Sequence, residues 1–276
     1  MVRAGDRRVT SLSDAFAAAK AEDRALLIGY LPAGYPSVAG SIDAIAALVD
    51  AGVDVVEVGL PYSDPLMDGP VIQRAVEAAL AAGTRTTDVL AVAAATAGTG
   101  AAALVMTYWN PVERYGVDRF AADLAAGGAS GVITPDLIPE EAGPWLAAAA
   151  DHGLDPVFLV APSSTDARIA STAAVTRGFV YAASTMGVTG ARSAVAGTAH
   201  ALVDRVRRHT DLPVAVGLGV STGAQAAEVA SYADGVIVGS ALVRCLLDTP
   251  GPAGVAAVGA LARELADGVR SARRPG

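Results

Sequence analysis

Eight apolar runs, each stopped by Gly, Pro or a polar turn and each followed by a helical stretch, set what this chain can fold into. The runs are Ala25–Tyr30, Val53–Val58, Ala102–Thr107, Gly131–Thr134, Pro156–Val160, Gly178–Ala182, Pro213–Val216 and Gly235–Val238. Helical spacing of apolar residues marks Ser37–Ala51, Val71–Ala82, Thr87–Ala97 and Val117–Ala126, with further helices from Glu140, to about Arg208, from near Gly223 and at the C-terminus. A short helix around Ser13–Lys20, capped by Ser or Asp, precedes the first strand. Strand-to-helix alternation predicts a parallel sheet, and eight units predict an α/β fold of the (β/α)8 TIM-barrel kind. To this are added an N-terminal helix and an elongated second connection. An open doubly wound sheet would need a Gly-rich fingerprint after the first strand, and LPAGYP is not one. No linker or composition shift interrupts the pattern, so residues 1–276 are expected to form one domain, fraying at 1–10 and 271–276.

The second strand contains an anomaly. Val53, Val55, Val56 and Val58 are what a strand covered on both faces requires, yet Glu57 stands among them. Burying an unpaired carboxylate costs on the order of several kcal/mol, or else raises its pKa until it holds its proton. Gly59, Pro61 and Pro65 then open a loop carrying Asp64 and Asp68, and Gly69-Pro70 starts the next helix. Two readings stand open here. Glu57 pairs with a core Arg while the aspartates cap the helix, or the three carboxylates serve chemistry at the mouth of the barrel.

Charge and cysteine content narrow the function. A net charge of −8 disfavours nucleic acid and anionic membranes as partners. Cys245 is the only cysteine, which excludes an internal disulfide and a thiolate metal site. With a polar N-terminus and no apolar run of membrane-spanning length, the expectation is a soluble cytoplasmic protein.

In such barrels the active site lies at the carboxyl ends of the strands, often with a phosphate held by the last loops. Here those ends carry Gly187-Val188-Thr189-Gly190, Gly217-Leu218-Gly219 and Gly239-Ser240. Glycine lets a backbone N–H approach an anion closely, and a helix N-terminus adds a favourable dipole. Lys20, the only lysine, lies in the N-terminal helix, which leaves a Schiff base without a candidate. His152, His200 and His209 fall on helices or helix ends, so no metal site is expected. The mouth retains Glu57, Asp64, Asp68 and Asp136 with the aromatics Tyr30, Tyr108, Trp109 and Tyr181. Together these describe a phosphate-ended substrate with a flat apolar body, acted on by carboxylate acid–base groups.

The stretch EVGLPYSDPLMDGPVIQ, the NP of TYWNPVERYG, and the GVTGAR, GLGVS and GSALV segments resemble the α-subunit family of tryptophan synthase over nearly the whole chain. The resemblance implies retro-aldol cleavage of indole-3-glycerol phosphate to indole and glyceraldehyde 3-phosphate. Glu57 and Asp68 would be the catalytic carboxylates, and Tyr30, Tyr108 and Tyr181 the lining of the indole pocket. Gly190, Gly219, Gly239 and Ser240 would hold phosphate, and Thr189 would pack from its loop toward Asp68. Pro61, Asp64 and Asn110 would contact a β subunit in an α2β2 heterotetramer. No cofactor is expected in this chain, since pyridoxal phosphate belongs to the β subunit. Thr185 departs from the Arg found in many relatives.

The residues agree with that chemistry. A retro-aldol step needs an electron sink, and indole supplies one once C3 is protonated. Glu57 is the candidate to protonate C3 and accept the glycerol hydroxyl proton, while Asp68 stays ionised near the ring nitrogen; opposite roles need different environments. A binding or regulatory subunit without turnover, and a free-standing indole-3-glycerol-phosphate lyase, are the competing readings.

Overall fold

The apolar runs pair in parallel throughout. In the computed structural model, which describes residues 10–184, 192–217 and 219–272 (leaving aside the side chains of 192–196), the strands are β1 (Leu26–Pro32), β2 (Val55–Gly59), β3 (Ala102–Met106), β4 (Gly131–Ile133), β5 (Asp155–Val157), β6 (Leu159–Val160), β7 (Val180–Ala183), β8 (Val214–Gly217) and β9 (Gly235–Val238). Their order is β5-β4-β3-β2-β1-β9-β8-β7-β6. Both ends of that order belong to one chain segment. The expected Pro156–Val160 strand changes partner at Phe158: the Val157 carbonyl accepts from Thr134 N–H at 3.3 Å, and the Phe158 carbonyl from Tyr181 N–H at 3.1 Å. The ring therefore closes through Phe158, with eight strand positions around it.

Alternation along each strand sorts its side chains. Leu26 and Ile28 of β1, Val55 of β2, Leu104 of β3, Ile133 of β4, Val157 of β5, Ala215 of β8 and Ile237 of β9 fill the barrel interior. The N-terminal helix Leu12–Ala21 plugs the bottom with Leu12 and Phe16, the latter 5.7 Å from the Phe179 ring. Its cap is Ser11, whose hydroxyl accepts from Asp14 N–H. Leu27, Leu31, Val56 and Val58 face outward into the larger core beneath the helices. The long second connection consists of helices Pro70–Ala81 and Thr86–Ala97.

Some local expectations are corrected. The stretch YWNPVERYG, read as a loop, contains the helix Trp109–Tyr115. Pro111 is tolerated in its first turn, where N–H groups lack intrahelical partners anyway. The helix expected from Glu140 is a 3-10 turn, Pro139–Glu141, followed by a helix over Gly143–His152. Pro144 lacks the N–H that an unbroken helix would use to bond the Glu140 carbonyl, so the helix restarts with Pro144 in its first turn. The C-terminal helical region divides into Ser240–Asp248 and Pro252–Ser271 at Pro250-Gly251, so Ser271, expected to fray, is still helical. Thr185, Thr189 and Gly190 lie outside the described residues.

Candidate active site

Glu57 continues the inward side of β2 after Val55. It is 1% exposed, and neither carboxylate oxygen has a hydrogen-bond partner among the described residues. Among the described residues no Arg pairs with it. Burial pushes its pKa to about 8, so the folded chain holds a neutral carboxyl there at pH 7. Its register neighbours are Tyr30 on β1 and Leu104 on β3. Tyr30 and Tyr181 are both buried. Burial raises the Tyr30 hydroxyl well above its ordinary value, and the charges of Asp68 and Glu57 raise it further. At Tyr181 burial acts first, then Glu57 and Tyr30. Glycine makes room for both rings: a Cβ on Gly59 would collide with Tyr30, and one on Gly217 would lie 2.7 Å from the Tyr181 hydroxyl. Glu57, Tyr30 and Tyr181 thus converge at the carboxyl ends of the strands.

Asp68 reaches the same region from the loop after β2. Tyr108 donates its O–H to Asp68 Oδ1 at 3.1 Å and accepts from Met67 N–H at 3.1 Å. Burial raises the Asp68 pKa, and the Tyr108 bond opposes the rise. Burial also pushes the Tyr108 hydroxyl up to about 12, which keeps it a donor. Neither aspartate caps the following helix, whose N-cap is Gly69 without a side-chain bond. Asp64 is exposed and accepts from Ser63 Oγ at 2.5 Å.

Pro61, Asp64 and Asn110 come together, lining a cavity of about 600 Å³ beside the barrel mouth. Asn110 Nδ2 donates to the Tyr62 hydroxyl at 3.0 Å, and the Tyr62 ring lies 5.4 Å from that of Tyr108. Leu66 and Met67 project at the loop tip, 78% and 46% exposed. Asp136 does not join the site. Both its oxygens accept from Trp109 N–H, at 2.9 and 3.0 Å, which anchors the N-terminus of the helix missed in the sequence. Trp109 packs on the buried Trp145, with ring centroids 6.5 Å apart.

Gly219 and Ser240 border a second cavity of about 550 Å³. Gly219 takes a left-handed φ of +76°, which exposes its backbone after β8. Gly239 is the N-cap of Ser240–Asp248 and makes no side-chain capping bond, so the first N–H groups of that helix are uncapped from this residue. Cys245 lines the same cavity, and burial raises its thiol, which suits packing rather than nucleophilic attack. His152 and His200 lie in helices and His209 just beyond one. Among the described residues no three His, Cys, Asp or Glu side chains gather as metal ligands. Nor is any described helix long and apolar enough to cross a membrane.

Sequence reasoning passed over Gln73, whose Nε2 donates to the Asp68 carbonyl at 2.7 Å. Its signal was present, a polar residue on the first turn of the helix that leaves the catalytic loop.

Glu57 and Asp68 thus meet Tyr30, Tyr108 and Tyr181 at the carboxyl ends of the strands of a closed parallel barrel, the end at which barrel enzymes keep their active sites. A family model described as tryptophan synthase alpha chain matches residues 16–269. The alpha chain of Thermobifida fusca is 62% identical over 270 residues, covering 96% of this chain and 100% of that one. That of Nocardia farcinica is 61% identical, covering 95% and 96%. Among solved structures, Mycobacterium tuberculosis tryptophan synthase superposes with a TM-score of 0.88 at 58% identity, covering 95% and 99%. The alpha chain from Legionella pneumophila does so at 0.84 and 32% identity. The chain belongs to the tryptophan synthase alpha chain family. It is a lyase of tryptophan biosynthesis.

Proposed function

We propose that Glu57 and Asp68 carry out the cleavage of indole-3-glycerol phosphate to indole and glyceraldehyde 3-phosphate. The observation that carries this reading is the Glu57 carboxyl, without a partner among the described residues, kept neutral near pH 7 by burial and flanked by Tyr30 and Tyr181. A neutral acid has a proton to give. Glu57 transfers it to indole C3, and the ring becomes a cationic electron sink whose N–H faces the Asp68 carboxylate. The Glu57 carboxylate left behind takes the proton of the glycerol hydroxyl next to the ring. The carbon–carbon bond breaks, its electron pair restores the indole, and the new carbonyl leaves as the aldehyde. Glu57 ends protonated, as it began, so the cycle closes without a cofactor in this chain.

The tyrosines Tyr30, Tyr108 and Tyr181 would enclose the indole, and the backbone at Gly219, Gly239 and Ser240, with Gly190, would hold the phosphate. Thr189 would close over Asp68. The clustering of Pro61, Asp64 and Asn110 at one cavity supports their assignment as the contact with a β subunit carrying pyridoxal phosphate, in an α2β2 assembly. A cytoplasmic location, and a chain that forms one domain over 1–276, fit this reading. It is tested with Asp68→Asn, which keeps shape and removes the anion. Loss of a positioned acid–base group costs about 10² to 10⁴ in rate. Indole release within a few-fold of the parent, with glycerol 3-phosphate still bound, would contradict it.

A further inference from the structure

We infer that Gln73 is a positioning residue for the cleavage, acting through the backbone of Asp68. This rests on the role proposed for Asp68. Three features make the peptide at Asp68 depend on Gln73. The helix that follows has Gly69 as its N-cap and no side-chain capping bond. Pro70 has no N–H with which to tie the junction down. The loop tip just before, Leu66–Met67, is exposed and contributes no buried side chain to hold itself in place.

The fastenings between strand and helix are then few. On one side, Tyr108 bonds both the Asp68 carboxylate and Met67 N–H. On the other, Gln73 Nε2 bonds the Asp68 carbonyl at 2.7 Å in a partly buried setting. The Gln73 backbone also belongs to the helix, its N–H bonding the Gly69 carbonyl at 3.0 Å. The side chain therefore ties the carboxylate-bearing residue to a rigid element. Without it, Asp68 keeps its carboxylate bond to Tyr108 but loses the anchor that orients its peptide plane. A catalytic group displaced by about 1 Å can lose on the order of 10²-fold in rate. Since Tyr108 still holds the carboxylate, the smaller loss of about tenfold is expected.

The test uses Gln73→Met and Gln73→Glu, each assayed with the β subunit added, together with Asp68→Asn and the two double variants. Both Gln73 substitutions remove the amide donor. A tenfold fall in kcat with KM and glycerol 3-phosphate affinity unchanged is expected for each. Gln73→Glu also places a like charge near Asp68, so the acid limb of its pH–rate profile moves to higher pH, while that of Gln73→Met does not gain this shift. In the Asp68→Asn background neither change costs more than about twofold, because residues acting as one unit are not additive. Unchanged kcat in Gln73→Met would overturn the inference, as would losses that simply multiply in the double variants. Falls in kcat, substrate affinity and thermal midpoint together would mark Gln73 as a fold-holding residue only, and overturn it as well. If Asp68→Asn itself retains turnover, the role of Asp68 fails first, which separates the two conclusions.

Discussion

The Tyr108 hydroxyl donates to Asp68 across 40 positions of sequence, at 3.1 Å, joining the end of β3 to the loop after β2. That bond lowers the Asp68 pKa against the rise caused by burial. Removing it leaves burial unopposed. Tyr108→Phe is therefore expected to shift the acid limb of the pH–rate profile upward and to lower kcat about tenfold at neutral pH, a partial loss compared with removing the acid–base group itself. An unchanged acid limb would show that the bond does not tune Asp68 in the working enzyme.

Glu57 makes the native state bind more protons than the unfolded one. Its folded pKa of about 8 lies above an ordinary value of 4.5. The linked stability is fully present below the ordinary pKa and is lost as pH rises through the folded one. Glu57→Gln cannot ionise and escapes that loss. Urea unfolding should show the variant gaining on the parent between pH 5 and pH 8.5 by up to several kcal/mol. A difference independent of pH would mean that Glu57 is not neutral in the fold.

At the end proposed to hold phosphate, Ser240 is the first residue of its helix. Ser240→Asp puts a carboxylate where the helix dipole favours one, by about 0.3–1 kcal/mol. The same charge repels phosphate. The variant should unfold at an equal or higher temperature while losing most affinity for glycerol 3-phosphate in calorimetry. Unaltered affinity would place the phosphate elsewhere.

Partner docking is separable from chemistry because Asp64 is exposed while Asp68 is partly buried. Asp64→Ala should spare most of the basal indole release and blunt its rise on adding the β subunit, since coupling between sites is reciprocal. Equal loss of both rates would give Asp64 a direct role in the reaction. An isolated chain already at full rate would favour a free-standing lyase.

Much of this was legible from spacing alone. Near-continuous apolar runs bounded by Gly, Pro or polar turns marked β1, β2 and β9, and one charged residue inside such a run singled out Glu57. What stayed hidden depends on contacts distant in sequence. The helix Trp109–Tyr115 is anchored by Asp136, 27 positions away, so its own seven residues look like a loop. The change of partner at Phe158 leaves no mark in an unbroken apolar run. Glu57 could be seen as an anomaly, but whether a cation answered it could only be read from the packed barrel.

The central claim is that Glu57 holds a proton at neutral pH and gives it to the substrate. Difference infrared spectra between the parent and Glu57→Gln, recorded as a pH series, isolate the C=O stretch of that one carboxyl. The structure predicts a protonated-acid band at pH 7 that disappears around pH 8. A carboxylate signal already dominant at pH 6 would contradict it.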